Sequence, residues 1–174
     1  MDGFLNPNEI LNQLGLKGNM TAADFGSGSG GWALPLAKQL KDGKVYAVDV
    51  LGEALSALKN KAESQKITNI EAIRVNLESE KGVPQIASNS CDLVLMTNLL
   101  FQSEKKEGIL EEAKRVLKQG GRILVVDWMP DAVLGPSEGR VSLEEAKDMA
   151  QKADFKIEAD FQAGLYHWAL ILVK

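Results

Sequence analysis

Cysteine and histidine are nearly absent from this chain of 174 residues. Cys91 is the only cysteine, which excludes a disulfide within the chain and a cysteine-rich metal site. It begins an apolar segment, so we interpret it as a small core residue rather than a catalytic thiol. His167 is the only histidine. The sequence therefore predicts no metal site.

Long apolar runs and a dominant charge are also missing. No run approaches the roughly 20 apolar residues that a membrane-spanning helix needs, and the first eight residues lack the basic flank and apolar centre of a signal peptide. We therefore expect a cytoplasmic protein without a membrane span. The 24 acidic and 20 basic residues leave a net charge of −4, which gives no general attraction for nucleic acid or anionic membranes.

Short apolar segments alternate with amphipathic ones, which is typical of a parallel sheet connected by helices. We predict helices at 8–14, 32–40, 53–65 and 105–117, and a fifth that begins after Ser142, which forms a capping box with Glu145. We predict seven strands, at 21–25, 45–48, 70–75, 91–96, 122–126, 155–161 and 166–173. The length favours one domain over residues 1–174, with residues 1–19 as a short N-terminal helix or lid.

The last two predicted strands are separated only by residues 162–165. A parallel pair needs a crossover of a dozen or more residues, so this pair must form an antiparallel hairpin. The predicted fold class is therefore α/β: a Rossmann-like, seven-stranded, mostly parallel sheet with a C-terminal antiparallel hairpin strand and helices on both faces.

A glycine-rich segment follows the first predicted strand. Gly26, Gly28 and Gly31 satisfy the dinucleotide pattern G-x-G-x-x-G. Asp24, with glycines at 26, 28 and 30, satisfies a second pattern, D-x-G-x-G-x-G. In both patterns glycine lets the backbone turn sharply and lets a ligand approach it closely. A carboxylate at position 24 suits a ligand with an ammonium group and would repel a pyrophosphate.

These motifs make the sequence similar to class I S-adenosylmethionine-dependent methyltransferases, and most similar to the ubiquinone/menaquinone-biosynthesis group. The resemblance extends from Met20 to Val173. The segments that carry it are Ala22–Gly30, Val48-Asp49, Asn76-Leu77-Glu78, Cys91–Val94 and Arg115–Arg122. The resemblance implies S-adenosyl-L-methionine as methyl donor, S-adenosyl-L-homocysteine as product, and a small-molecule acceptor.

The resemblance also implies roles around the glycine loop. Asp24 and the backbone of Gly26 are expected to contact the methionine part of the cofactor. Gly28 and Gly30 are expected to leave room for the cofactor, and Ser27 replaces the cysteine that is usual in the loop.

On the nucleoside side, the resemblance implies that Asp49 binds the ribose hydroxyls and that Val50 and Leu51 line the adenine. Asn76 stands where the family often has an aspartate that touches the adenine amino group, and an asparagine oxygen can still accept a hydrogen bond. The Leu77 backbone is expected to bond a ring nitrogen. Glu78 is also expected to bind the cofactor, and Asn98 is expected to lie beneath its methionine tail.

The acceptor site is predicted from topology. Ligands of open α/β sheets bind beyond the carboxyl ends of the strands, and an antiparallel last strand begins at that same edge. We therefore predict that His167 and Asp127 are catalytic, with His167 as base or substrate ligand, and that Trp128 and Tyr166 contact the acceptor. Two alternatives stay open: a hydrogen-bonded core histidine, and an aspartate that only caps its strand.

Other functions are also compatible with parts of the sequence. A non-catalytic cofactor-binding subunit would share the glycine loop, and a nicotinamide-dependent oxidoreductase would share its literal fingerprint but not Asp24. The Thr97-Asn98-Leu99-Leu100 segment lacks the Asn-Pro-Pro-aromatic tetrad used on flipped bases, so no nucleic-acid partner is expected. A homodimer is compatible with the sequence.

Overall fold

The computed structural model describes residues 5–174. The first four residues of the predicted N-terminal segment 1–19 lie outside the described residues. The helices are α1 Pro7–Asn12, α2 Ala33–Gln39, α3 Gly52–Ser64, α4 Lys106–Val116 and α5 Leu143–Lys152, with a short 3-10 helix at Leu100–Gln102. The strands are β1 Thr21–Phe25, β2 Lys44–Asp49, β3 Ile70–Arg74, β4 Cys91–Thr97, β5 Leu117–Trp128, β6 Lys156–Ala163 and β7 His167–Val173.

All seven strands form one sheet in the order β3-β2-β1-β4-β5-β7-β6. The first five strands pair in parallel, and β7 pairs antiparallel with both β5 and β6. The predicted fold class is confirmed, including the hairpin at the C-terminus. The carboxyl ends of β1, β2, β4 and β5 therefore lie at the same edge as the start of β7, which we call the carboxyl rim.

The two faces of the sheet bury two separate apolar cores. Helices α4 and α5 cover one face, which we call the α4 face, with Phe25, Met96 and Val125 beneath them. Helices α1 and α2 cover the other face, which we call the α2 face, above Ala22, Leu95 and Val126. Since successive side chains of a strand point to opposite faces, each residue at the carboxyl rim can be assigned to one face.

The structure differs from the prediction where α4 meets β5. We expected a helix to residue 117, stopped by Gly120 and Gly121, and a strand from 122. The helix ends at Val116, and Leu117 already pairs with Cys91 in the sheet. Leu117 is fully buried, so its side chain gains more from the sheet than from another helical turn.

Helix α5 begins as the sequence predicts. The Ser142 hydroxyl accepts from the Glu145 N–H, and the Glu145 carboxylate accepts from the Ser142 N–H. This capping box fixes the point where the loop after β5 becomes helical. Within residues 5–174, no helix is both long and apolar enough to span a membrane.

Candidate active site

The glycine loop leaves β1 at the carboxyl rim. Gly26, Gly28 and Gly30 all have positive φ, at 77°, 51° and 92°. A Cβ at position 26 would lie 3.0 Å from Leu99, and one at position 30 would lie 3.0 Å from Leu58. A Cβ at position 28 would meet no atom within 4 Å. Packing therefore explains the first and third glycines, whereas the second borders open space that a ligand can fill.

Asp49, at the end of β2, fixes the shape of this loop. One of its carboxylate oxygens accepts from the Gly28 N–H at 2.7 Å, and the other accepts from the Leu51 N–H at 2.9 Å. A carboxylate has about four lone-pair sites, so both oxygens keep capacity for further donors. Asp49 can thus hold the loop and bind hydroxyl groups at the same time.

A cavity of about 300 Å³ lies between the glycine loop, the end of β2 and the segment after β3. Eight of the residues predicted to bind cofactor line it: Gly26, Gly28, Asp49, Val50, Leu51, Asn76, Leu77 and Glu78. Val50 and Leu51 are 53% and 63% exposed, so large apolar side chains stand at its mouth. A flat aromatic ring could cover them.

Two polar side chains on the far wall of the cavity already have partners. The Asn76 side-chain oxygen accepts from the Glu78 N–H at 2.9 Å. The Glu78 carboxylate accepts from the backbone N–H groups of Lys105 and Glu104, and these bonds lower its pKa. Glu78 therefore anchors the start of α4, a role that its position in a motif could not reveal.

Asp24 is fully buried, and neither of its carboxyl oxygens has a hydrogen-bond partner. Its removal from water, reinforced by the negative charge of Asp49, raises its pKa to about 7, although the nearby backbone N–H of Ala33 acts to lower it. A buried carboxylate without partners is costly unless a cation neutralises it. This position therefore suits an ammonium group.

Three more side chains at the rim carry buried polar atoms that have no hydrogen-bond partner. These are the Ser27 hydroxyl, the Asn98 side-chain oxygen and both ring nitrogens of His167. Buried polar groups almost always have partners in folded proteins. Together with Asp24, these atoms indicate that the carboxyl rim is built to hold a polar ligand.

His167 lies on the α2 face, two residues before Ala169 of that core. Its ring centroid is 4.0 Å from the Trp128 ring, at an interplanar angle of 39°. His167 is 5% exposed, and burial lowers its pKa. At neutral pH it is therefore an uncharged imidazole that can accept a proton.

Asp127 does not lie opposite His167. In the β5–β7 register Asp127 pairs with Trp168, whereas Trp128 pairs with His167. Asp127 consequently lies on the α4 face, where its carboxylate accepts three backbone N–H groups, those of Leu100, Phe101 and Trp128. The structure brings the side chains of His167 and Trp128 together on the α2 face and places the Asp127 side chain on the opposite face.

The loop after β5 is held by a residue that the sequence did not single out. The Arg140 guanidinium donates to five backbone carbonyls, those of Met129, Pro130, Ala132, Leu134 and Pro136. Gly135, with φ of 99°, lies so close to the Trp128 ring that a Cβ would come within 2.5 Å of it. The Met129 N–H donates to the Tyr166 carbonyl at 2.9 Å, which ties this loop to the β6–β7 turn.

The chain is similar in sequence to known proteins over much of its length. The model of a family described as a methyltransferase domain matches residues 22–121. The chain is 26% identical to an arsenite methyltransferase of Halobacterium salinarum over 78% of this chain and 37% of that protein. It is 27% identical to a demethylmenaquinone methyltransferase of Bacillus mycoides over 76% of this chain and 55% of that protein. The chain thus spans about half the length, or less, of these curated relatives.

A solved structure is similar over nearly the whole chain. It is a SAM-dependent methyltransferase from Aquifex aeolicus, with a TM-score of 0.87 and 27% identity over 97% of this chain and 89% of that one. The matched fold therefore includes the hairpin at the C-terminus as well as the glycine loop.

Proposed function

We propose that this chain, which belongs to the methyltransferase domain family, transfers a methyl group from S-adenosylmethionine to a small organic acceptor. The observation that carries the proposal is the set of buried, unpartnered polar atoms at the carboxyl rim, from Asp24 to His167. The sulfonium of S-adenosylmethionine supplies an activated methyl group. The amino-acid tail of the cofactor supplies an ammonium and a carboxylate group, which can bond the unpartnered atoms near Asp24.

The methionine tail is proposed to lie at the ends of β1 and β4. The Asp24 carboxylate would pair with the ammonium group, which removes the cost of its burial. The Ser27 hydroxyl would donate to the carboxylate of the tail, and the Asn98 side-chain oxygen would accept from the ammonium group. This assignment gives a partner to each unpartnered atom at the ends of these two strands.

The nucleoside is proposed to occupy the 300 Å³ cavity. Asp49 would accept from the ribose hydroxyls with the lone pairs that Gly28 and Leu51 leave free. Val50, Leu51 and Leu77 would pack against the adenine. The open space beside Gly28 would let the cofactor lie against the backbone.

The acceptor is proposed to bind beside Trp128, with His167 as the base and Tyr166 nearby in the turn before β7. The acceptor atom would form a bond to the methyl carbon while the carbon–sulfur bond breaks. The electron pair of the broken bond would remain on sulfur, which gives S-adenosylhomocysteine. His167 would take the proton that the acceptor atom loses. The exposed side chains of Val133, Leu134 and Leu165 favour an acceptor with an apolar part.

An arsenite acceptor is disfavoured by the chemistry of this chain. Arsenic(III) prefers soft thiolate ligands. Cys91 is the only cysteine, it is fully buried in β4, and desolvation raises its pKa to about 11. An acceptor similar to demethylmenaquinone, which the name of the Bacillus mycoides relative contains, is compatible with Trp128 and the apolar residues at the rim.

Three further features belong to the proposal. We take the described residues as one domain, because one sheet contains every strand of the described chain. A cytoplasmic location and a homodimer remain predictions, and size-exclusion chromatography with light scattering would test the second.

The test is transfer of tritium from methyl-labelled S-adenosylmethionine to a panel containing a quinol, a phenol, sarcosine and arsenite. We expect transfer to an organic acceptor and loss of transfer in Asp24→Asn, with Asp92→Asn as the matched control at the other end of the sheet. Transfer to arsenite alone would contradict the acceptor assignment. Cofactor binding without transfer to any acceptor would contradict the enzymatic function and support a non-catalytic subunit.

A further inference from the structure

We infer that Asp127 is a positioning residue, which holds the wall of the cofactor cavity and the wall of the acceptor site at a fixed distance from each other. The inference rests on the proposed function, because it assigns a role within that site. It replaces the expectation that Asp127 takes part in proton transfer.

The hydrogen bonds of Asp127 carry the inference. One carboxylate oxygen accepts from the Leu100 N–H at 2.9 Å and from the Phe101 N–H at 3.3 Å. The other accepts from the Trp128 N–H at 2.8 Å. The side chain is fully buried, and it lies on the α4 face, away from His167. A carboxylate in this position binds backbone donors and has no route to an acceptor on the α2 face.

The donors at Leu100 and Phe101 belong to a segment, residues 98–103, that forms one wall of the cofactor cavity. Leu99, Gln102 and Ser103 line that cavity, and Leu99 also packs against Gly26. Asn98 has a φ of 50°, and its N–H donates to the Val126 carbonyl at 2.8 Å. The segment is therefore bonded to β5 at two points: Asn98 bonds Val126, and Leu100 and Phe101 bond Asp127.

Internal bonds make this segment move as a unit. The Gln102 side chain donates to the Asn98 carbonyl, and the Ser103 hydroxyl donates to the Leu99 carbonyl, both at 2.8 Å. Loss of the Asp127 bonds would therefore displace Leu99 and Asn98 together. Leu99 lines the cavity proposed for the nucleoside, and Asn98 is proposed to bond the methionine tail. The affinity for the cofactor therefore depends on a carboxylate that does not touch it.

The Trp128 donor extends the same control to the acceptor side. Trp128 contacts the His167 ring, and its backbone N–H is fixed by the second oxygen of Asp127. One carboxylate thus sets the positions of a cofactor wall and an acceptor wall that lie on different faces of the sheet.

The charge state of Asp127 supports this role. Desolvation raises its pKa to about 6, while the N–H groups of Trp128, Phe101 and Leu100 and the charge of Lys106 act to lower it. Asp127 is therefore mostly ionised at pH 7.5, when it can accept all three bonds. Below pH 6 it is mostly protonated, and the bonds weaken.

The experiment compares Asp127→Asn with Asp92→Asn. Asp92 also accepts a backbone N–H, that of Thr21 at 2.8 Å, and it bonds Lys118, but it lies at the opposite end of β4. Calorimetry with S-adenosylhomocysteine at pH 7.5 gives the affinity, and amide exchange by NMR gives the protection of Leu100 and Phe101. We expect Asp127→Asn to lose about tenfold or more in affinity and to lose protection at both amides, and we expect Asp92→Asn to stay within about twofold of the unchanged protein.

The unchanged protein provides a second measurement that does not depend on the variant folding. We expect the protection factors of Leu100 and Phe101 to fall as the pH is lowered from 7 to 5. The Gly26 amide, which donates to the Val48 carbonyl, should keep its protection. In turnover, Asp127→Asn should raise the KM for S-adenosylmethionine and leave the shape of the pH profile of kcat unchanged.

Three results would overturn the inference. One is unchanged affinity in Asp127→Asn, and another is an equal loss of affinity in Asp92→Asn. The third is protection at Leu100 and Phe101 that persists to pH 5. If the unchanged protein does not bind S-adenosylhomocysteine, the proposed function fails and this inference fails with it, whereas the first result alone leaves the proposed function standing.

Discussion

Cofactor affinity should depend steeply on pH because of Asp24. The carboxyl is fully buried and has a pKa of about 7. Only its ionised form can pair with the ammonium group of S-adenosylhomocysteine. At pH 8 about nine-tenths of the protein carries the carboxylate, and at pH 6 about one-tenth does, so the apparent dissociation constant should rise about tenfold between these values.

Calorimetry in two buffers with different ionisation enthalpies measures both the affinity and the protons released. At pH 7 we expect release of about half a proton per cofactor bound, since about half of the Asp24 side chains start protonated. The control ligand is 5′-methylthioadenosine, which has the nucleoside but no ammonium group. Its affinity should change far less between pH 8 and pH 6.

The same pKa sets a stability effect in the protein without cofactor. An acid whose pKa is raised by folding binds more protons in the folded than in the unfolded state. Stability from this group is therefore greatest below pH 4 and is lost as the pH rises to 7, by ~4 kcal/mol for a pKa change from 3.8 to about 7. Asp24→Asn should consequently raise the melting temperature at pH 8 much more than at pH 5, while it weakens S-adenosylhomocysteine binding. A dissociation constant that stays constant from pH 8 to pH 6 would refute the reasoning.

Other substitutions separate the roles of individual residues. Gly28→Ala should cost only about 1 kcal/mol of stability but at least about tenfold in S-adenosylhomocysteine affinity, because its methyl group would enter the space left for the ligand; equal affinity would place the ligand elsewhere. Gly30→Ala should destabilise the protein more, by about 1–3 kcal/mol in free energy of unfolding, because the added Cβ would lie 3.0 Å from Leu58. A melting temperature above that of Gly28→Ala would contradict the packing argument. His167→Gln should lower kcat by about 10²–10⁴ and leave cofactor affinity within about twofold, and unchanged turnover would exclude the base role. Arg140→Lys should speed proteolytic cleavage between residues 131 and 139, because a lysine cannot reach five carbonyls; an unchanged cleavage rate would show that other contacts hold the loop.

The fold could be predicted because its signals are local. The strands β4, β5 and β7 each contain an apolar run, and the four residues at 162–165 leave no room for a crossover helix. The β4–β5 region was harder, because the glycine pair at 120–121 predicts a break before the strand, whereas Leu117 already pairs with Cys91, so β5 begins five residues before the predicted start at 122. Where long-range pairing competes with a local stop signal, the local signal alone gives the wrong boundary.

The residues that line the cavity could also be predicted, since the glycine loop, Asp49 and residues 76–78 lie next to strand ends. The acceptor side depends on which face each rim residue occupies. Asp127 and Trp128 are adjacent in sequence but point to opposite faces, so only Trp128 meets His167. The role of Arg140 arises from the path of a loop, and no sequence pattern reports it.

The most direct test of the central claim is parallel calorimetry of the unchanged protein with S-adenosylhomocysteine and with NAD at pH 8, where Asp24 is mostly ionised. We predict that S-adenosylhomocysteine binds at one site per chain, that NAD does not compete, and that Asp24→Asn weakens the binding. Binding of NAD, or absence of S-adenosylhomocysteine binding, would contradict the assignment of the carboxyl rim as a methyl-donor site.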